Sequence, residues 1–166
     1  MEKYCGIVYE LDVEGQQNME QFLGALGVSD QLAIDFVLSA PCRVTLTSDG
    51  DEFTQQTSTC CYEDVVSYRL DECYEQQGYD GRLVCSLVTE PRPSTHLLQQ
   101  TYEDGTSVTI EKRFSATELV MILKIGDVTA RRTFRATTMS EGCSTSVLQQ
   151  SAQSCPPDCI LQADGA

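Results

Sequence analysis

Residues 106–136 read TSVTIEKRFSATELVMILKIGDVTARRTFRA. Three runs rich in Val, Ile, Thr and Phe, at 106–114, 118–125 and 128–136, are separated by short breaks. Such runs are strands, and Gly126-Asp127 between the last two is hairpin chemistry, because Gly supplies the positive φ of a tight turn. Side chains alternate across a strand. In the third run Val128, Ala130, Arg132, Phe134 and Ala136 therefore share one face, and Thr129, Arg131, Thr133 and Arg135 share the other. The second set is polar and meets water, so the first turns inward and carries Arg132 with it. The first run repeats the pattern. Val108, Ile110, Lys112 and Phe114 share the apolar face, while Glu111 and Arg113 lie opposite. Each strand thus aims one cation at an apolar interior.

Working outward, seven more runs of the same kind lie at 4–11, 42–47, 52–59, 64–70, 72–76, 83–89 and 95–102. Turn signals stand between several of them, at Ser48-Asp-Gly-Asp51, Tyr79-Asp-Gly81 and Glu103-Asp-Gly105. Consecutive hairpins without long helices make an antiparallel meander. About ten strands in one sheet curl and close, which removes exposed edges. An up-and-down barrel of that size encloses more space than its side chains fill. The predicted architecture is therefore all-β, a ten-stranded antiparallel up-and-down barrel.

One helical segment interrupts the strands. Met19, Phe22, Leu23 and Leu26 recur at helical spacing, and Gly27 is a natural stop. A second short helix follows, with Ser29 as a possible cap, Leu32, Phe36 and Val37 on its apolar side, and Pro41 at its end. Two helices this short do not stand alone in water, so they form a helix-turn-helix lid on the barrel, at about 18–38. From residue 138 to 166 the chain is rich in Ser, Gln and Gly and has no sustained period. The predicted division is a β-barrel domain at 1–137 and a flexible C-terminal tail at 138–166.

Composition narrows the function. The 166 residues carry 11 Lys+Arg against 25 Asp+Glu, a formal charge of −14. That excess disfavours nucleic acid, whose phosphates require basic partners, and disfavours stable association with anionic membranes. No run of about 18 apolar residues spans a bilayer, and Met1-Glu-Lys-Tyr-Cys5 lacks the layout of a secretory signal. Nine cysteines, an odd number, argue against a secreted disulfide framework and for reduced thiols in a cytoplasmic protein, several of them buried. The alternative reading of the thiols is redox sensing, centred on Cys60-Cys61 and the tail. No Cys-x2-Cys pair exists and His96 is the one histidine, so no metal site is expected. His96 follows Pro91-Arg-Pro93, at a loop or strand edge.

An inward cation is costly unless something answers it. Lys112 and Arg132 could pair with interior carboxylates such as Asp80 or Glu72, or Lys112 could snorkel to the barrel mouth. Alternatively, the two hold the carboxylate of an amphipathic ligand whose tail occupies the cavity.

Over residues 4–137 the chain resembles the intracellular lipid-binding proteins, the family of fatty-acid-binding and cellular retinoid-binding proteins. The resemblance rests on several collinear segments. They are Gly6, the helix NMEQFLGALGV at 18–28, Pro41, Asp49-Gly-Asp51, Asp80-x-Arg82 with Ser86-Leu-Val-Thr89, Leu98-Gln and Asp104-Gly105, and the ungapped stretch to Arg132-Thr-Phe134. It implies a ten-stranded barrel of the calycin superfamily, gated by two helices. It also implies a carboxylate site of an Arg on the eighth strand and Arg-x-Tyr on the tenth. By position these are Lys112, Arg132 and Phe134. Lys replaces the first Arg, so a bidentate fork becomes a point charge, and Phe replaces the Tyr, so one hydroxyl donor is lost. By matching position and alternation, Met19, Phe22, Leu32, Phe36, Thr57, Cys61, Met121 and Leu123 form the cavity wall, with Arg82 and Asp80 joining the polar network.

The function expected is non-enzymatic intracellular transport of a small hydrophobic ligand, a fatty acid or similar anionic lipid, by a monomer that needs no cofactor. The alternatives are a retinoid, bile-salt-like or pigment ligand, or a barrel recruited to catalysis, for instance through a Schiff base at Lys112. The lid carries Glu20, Asp30 and Asp35 and no Lys or Arg. It therefore repels anionic membranes, and ligand transfer is expected to proceed through water.

Overall fold

The computed structural model describes residues 1–137. The predicted tail at 138–166 lies outside them. Ten strands form one antiparallel sheet: β1 Val8–Leu11, β2 Arg43–Asp49, β3 Glu52–Ser58, β4 Glu63–Arg69, β5 Cys73–Gln77, β6 Leu83–Arg92, β7 Thr95–Thr101, β8 Ser107–Phe114, β9 Glu118–Ile125 and β10 Val128–Ala136. Their order is β4-β3-β2-β1-β10-β9-β8-β7-β6-β5. Each strand pairs with its sequence neighbour, except at two places. β1 pairs with β10, with Leu11 opposite Phe134, and this joins the two halves of the chain. β4 and β5 are the two ends of the sheet and share no ladder. The barrel is therefore nearly closed, and the Tyr68 and Tyr74 rings stack 5.6 Å apart from either side of the gap.

Register carries the inward alternation from strand to strand. Lys112 lies opposite Met121, and Met121 opposite Arg132. Ile110, Leu123 and Ala130 form the next row, and Phe114, Leu119 and Phe134 the row on the other side. All but the two cations are apolar, and all are buried. Burying each large apolar side chain contributes roughly 1.5–3 kcal/mol, and this wall concentrates that gain.

The first predicted strand is only half strand. A single 3-10 turn at Glu2–Tyr4 precedes it. Gly6, at φ +83°, then redirects the chain and donates its N–H to the Leu46 carbonyl at 2.7 Å.

Helix α1, Met19–Leu26, buries Met19, Phe22, Leu23 and Leu26 against the barrel. Asn18 stands at its start with φ +55° and donates its side-chain amide to the Thr129 carbonyl at 3.1 Å, fastening the helix to β10. Gly27, at φ +95°, ends it with the N–H groups of residues 27 and 28 returned to Gly24 and Leu23. Helix α2, Gln31–Ser39, is capped by Asp30 rather than Ser29, because the Asp30 carboxylate accepts from Leu32 N at 3.0 Å.

The thiols differ from expectation. Among the described residues, Cys42 is buried and Cys5 partly so, while Cys60, Cys61, Cys73 and Cys85 are exposed. Alternation explains the last two, since Cys73 and Cys85 fall on the outer face of the β5–β6 pair.

Candidate functional site

A cavity of about 450 Å3 lies between α2 and the inner face of the sheet. Phe36 and Val37 of α2, with Ala40 just after it, form one side of its mouth. The β3–β4 turn, with Thr59 and Tyr62, and the end of β5, with Gly78 and Tyr79, form the rest. Inside, Gln55 and Thr57 of β3, Gln76 of β5, Leu98 and Gln100 of β7, and Arg132 of β10 line the wall. A second depression of about 360 Å3 lies where Glu10 and Arg43 pair, and it contains neither cation.

Both inward cations stand where alternation predicts. Each is 6% exposed. Arg132 donates a long hydrogen bond, 3.4 Å, to the Tyr79 hydroxyl, its guanidinium lies 5.5 Å from the Phe134 ring, and its Nε has no partner among the described residues. Lys112 donates to Gln55 Oε1 at 2.5 Å. Burial pushes the Lys112 ammonium down to about 8, opposed by the more distant Asp64 carboxylate. Among the described residues, neither cation is in a salt bridge. The proposed pairing with Asp80 or Glu72 does not occur. Asp80 is occupied by Arg82, and Glu72 is exposed in the turn before β5.

The other predicted residues divide into two groups. Met121, Leu123 and Phe134 are buried on the inner wall, and Met19 and Phe22 are buried beneath the lid. Phe22 meets the Tyr79 ring edge-on at 5.8 Å, which ties α1 to the same tyrosine that Arg132 contacts. Phe36 and Thr57 line the cavity itself.

Four predicted residues stand elsewhere. Leu32 is 79% exposed, because α2 settles on Ile34 and turns the first-turn leucine to solvent. Cys61 is exposed at the β3–β4 turn, outside the wall. Arg82 and Asp80 form a surface cluster at the β5–β6 turn. The Arg82 Nε donates to Asp80 and its NH1 to Asp104, and its plane lies 4.4 Å from the Tyr102 ring. These partners hold the Asp104 carboxyl down to about 2, with Arg82 the largest cause. The pair staples two turns and does not reach the cavity.

His96 is not at a strand edge. It lies on the inner face of β7, fully buried, opposite Lys112. The β6–β7 turn at Pro93-Ser94 is tight enough to bring it inside, with Ser94 at φ +66°. Its Nδ1 is 2.9 Å from the Tyr68 hydroxyl, and Phe53 and Phe114 meet its ring edge-on. Burial, then the charge of Lys112, pushes its pKa down to about 4.

Gln55, Gln76, Gln100, Tyr79 and His96 were not expected at the cavity or the interior. The two-residue period would have found most of them. Phe53-x-Gln55-x-Thr57, Tyr74-x-Gln76 and His96-x-Leu98-x-Gln100 each place a polar side chain in phase with an apolar one.

The chain is similar to known proteins over the same residues. It is 28% identical to the muscle fatty acid-binding protein of Schistocerca gregaria over 137 residues, 82% of this chain and 98% of that one. It is 27% identical to human cellular retinoic acid-binding protein 1 over 125 residues, 74% of this chain and 91% of that one. Among solved structures, the fatty acid-binding protein from Drosophila melanogaster brain tissue superposes with a TM-score of 0.73 at 26% identity, over 80% of this chain and 99% of that one. The Schistosoma mansoni fatty acid binding protein in complex with arachidonic acid shares the fold, with a TM-score of 0.76 at 22% identity, over 83% and 98%. No protein-family model matches the chain. No helix among the described residues is long and apolar enough to cross a membrane.

Proposed function

We propose that this chain, a member of the intracellular lipid-binding protein family by sequence and fold, binds and carries a small hydrophobic anion, a fatty acid or similar lipid, in its barrel cavity. The observation that carries this reading is the pair of buried cations, Arg132 and Lys112. They share one row of the inner wall and lack an ion-pair partner among the described residues. A carboxylate head group would answer both charges, and an apolar tail would reach toward Phe36 at the mouth. The two sites differ in strength. Arg132 presents a fork with an unused Nε, whereas Lys112 is a point charge already engaged with Gln55. Arg132 is therefore the main head-group anchor.

The relatives named for fatty acids and for retinoic acid share a carboxylate at one end of an apolar body, and this site suits either. Work as a carrier, not as a catalyst, fits the placement of the reactive groups. His96 is enclosed by aromatic rings and held neutral, and among the described residues its ring hydrogen-bonds only to the Tyr68 hydroxyl, with no Ser, Cys or Lys side chain bonded to it. The competing reading is Schiff-base chemistry at Lys112 with an aldehyde ligand. Borohydride treatment with retinal is expected to leave Lys112 without a mass adduct.

The central test is Arg132→Ala, read by displacement of a fluorescent fatty acid. A charge-assisted hydrogen bond is worth about 1.5–3 kcal/mol, so stearate affinity is expected to fall roughly 10- to 100-fold. Unchanged affinity for every carboxylate ligand would overturn the assignment. Cytoplasmic location, a monomeric state and the absence of a cofactor belong to the same reading.

A further inference from the structure

We infer that the preferred ligand is a hydroxylated anionic lipid, carrying at least one hydroxyl along its body in addition to the acidic head. This rests on the carrier reading above and specifies what that cavity takes.

The wall that faces the ligand body is mainly apolar, but polar side chains interrupt it at defined places. Gln55, Thr57, Gln76 and Gln100 all line the cavity, on three different strands. Part of this polarity is satisfied internally. Gln55 accepts from Lys112 and donates to Thr57 Oγ1 at 3.2 Å, and Gln76 donates to Ser86 Oγ at 3.0 Å. Gln100 is different. It is 3% exposed, it lines the cavity, and its Oε1 has no partner among the described residues. Its row neighbour Ser86 is already engaged with Gln76, and its other row neighbour is Val108. A buried amide oxygen left unpaired is unfavourable. An alkyl chain laid against Gln100 would keep that cost, and a group able to hydrogen-bond would remove it.

A hydroxyl fits this position better than a ketone. An amide side chain presents an acceptor and a donor from one planar group. A hydroxyl can donate to the oxygen or accept from the nitrogen, so it pairs with Gln100 in either orientation of the amide. A ketone can only accept. The same hydroxyl group would be unfavourable in a cavity lined by Leu and Phe alone, because it would lose its hydrogen bonds with water. Selectivity then arises on both sides, since a site built to bond a hydroxyl discriminates against the analogue without one.

The test compares stearate with 10-hydroxystearate and 12-hydroxystearate by probe displacement, on the full chain. These acids share head group and length and differ in one hydroxyl. At least one hydroxy acid is expected to bind five-fold or more tighter than stearate. In Gln100→Leu, that ratio is expected to fall to one or below, with a circular dichroism spectrum matching the unaltered protein showing that the variant folds. If stearate binds the unaltered protein as well as or better than both hydroxy acids, the inference is overturned and the carrier reading stands. If a hydroxy acid is preferred but Gln100→Leu preserves the preference, the assignment to Gln100 is overturned. If none of the three acids binds, the carrier reading itself fails.

Discussion

Two walls enclose the same cavity and are built on different terms. From β8 to β10 the strands are fully laddered and the inner rows are closely packed apolar side chains around two cations. From β3 to β5 the inner face carries Gln55, Thr57 and Gln76, and the sheet breaks between β4 and β5. Several side chains of β4 and β5 are exposed or only partly buried. The first wall holds the fold and the two buried cations. The second wall leaves room, exposes polar groups to the cavity and borders its mouth. Stability and access are thus assigned to opposite sides of one barrel, and this division can be tested.

The largest expected effect is on the apolar wall. Leu123→Ala, at a fully buried position, should cost about 2–5 kcal/mol in urea denaturation. Val65→Ala, on the exposed face of β4, should cost less than about 0.5 kcal/mol. Equal costs at the two positions would remove the distinction. Next comes Lys112→Met. Folding depresses the ammonium from the ordinary 10.5 to about 8, so the charged form is disfavoured in the folded state at neutral pH. Removing the charge should raise stability by roughly 1–3 kcal/mol and weaken fatty-acid binding about ten-fold. A variant that binds normally would show that Lys112 is only a structural partner of Gln55. The unaltered protein without ligand should likewise become more stable between about pH 8 and 10.5, as Lys112 gives up its proton.

A smaller effect concerns acid. The His96 pKa is about 4 in the folded protein and about 6.5 when unfolded. The unfolded state therefore takes up the proton first, and stability should fall as pH drops from 6.5 toward 4. His96→Gln should flatten that slope in urea midpoints measured across the range. A slope unchanged by the substitution would place the acid sensitivity elsewhere. The smallest expected effect is at the lid. Glu20, Asp30 and Asp35 give it no cation, so transfer of a fluorescent fatty acid should not accelerate with anionic vesicle concentration. A rate that rises with vesicles would show collisional transfer. Leu32→Ala should change stability by less than about 0.5 kcal/mol, since that side chain already faces water.

The apolar wall was also the more legible one. Alternation predicts strands at 118–125 and 128–136, and the structure has Glu118–Ile125 and Val128–Ala136. Strict alternation with bulky apolar residues leaves one register that buries them all. Arg132 and Lys112 were legible because each interrupts an otherwise apolar face. The polar wall is less so, because only one or two apolar residues, such as Phe53 or Tyr74, stand in phase with its Gln and Thr side chains and mark that face as inward. Leu32 was misplaced because a nine-residue helix has apolar residues on two sides, and only tertiary packing chose Ile34. Arg82 and Asp80 were drawn toward the site by resemblance, whereas Asp104, 22 positions later in the sequence, holds them at the surface. His96 was hidden by the prolines before it, which suggested a loop where the chain makes a tight hairpin.

The pairing of β1 with β10 has a kinetic consequence. Every ladder from β2 to β4 and from β5 to β10 joins neighbours through a short turn, so each can form as a local hairpin soon after its residues are available. The β1–β10 seam instead joins Tyr9 to Ala136 and Leu11 to Phe134. Closing a loop that long carries a large entropic cost, and no local contact offsets it in advance. The hairpins should therefore assemble into an open, curling sheet first, with barrel closure as the late and slow event. Until that closure, β10, the strand that carries Arg132, has no β1 beside it, so a ligand able to hold the cations could act as a template for the final step.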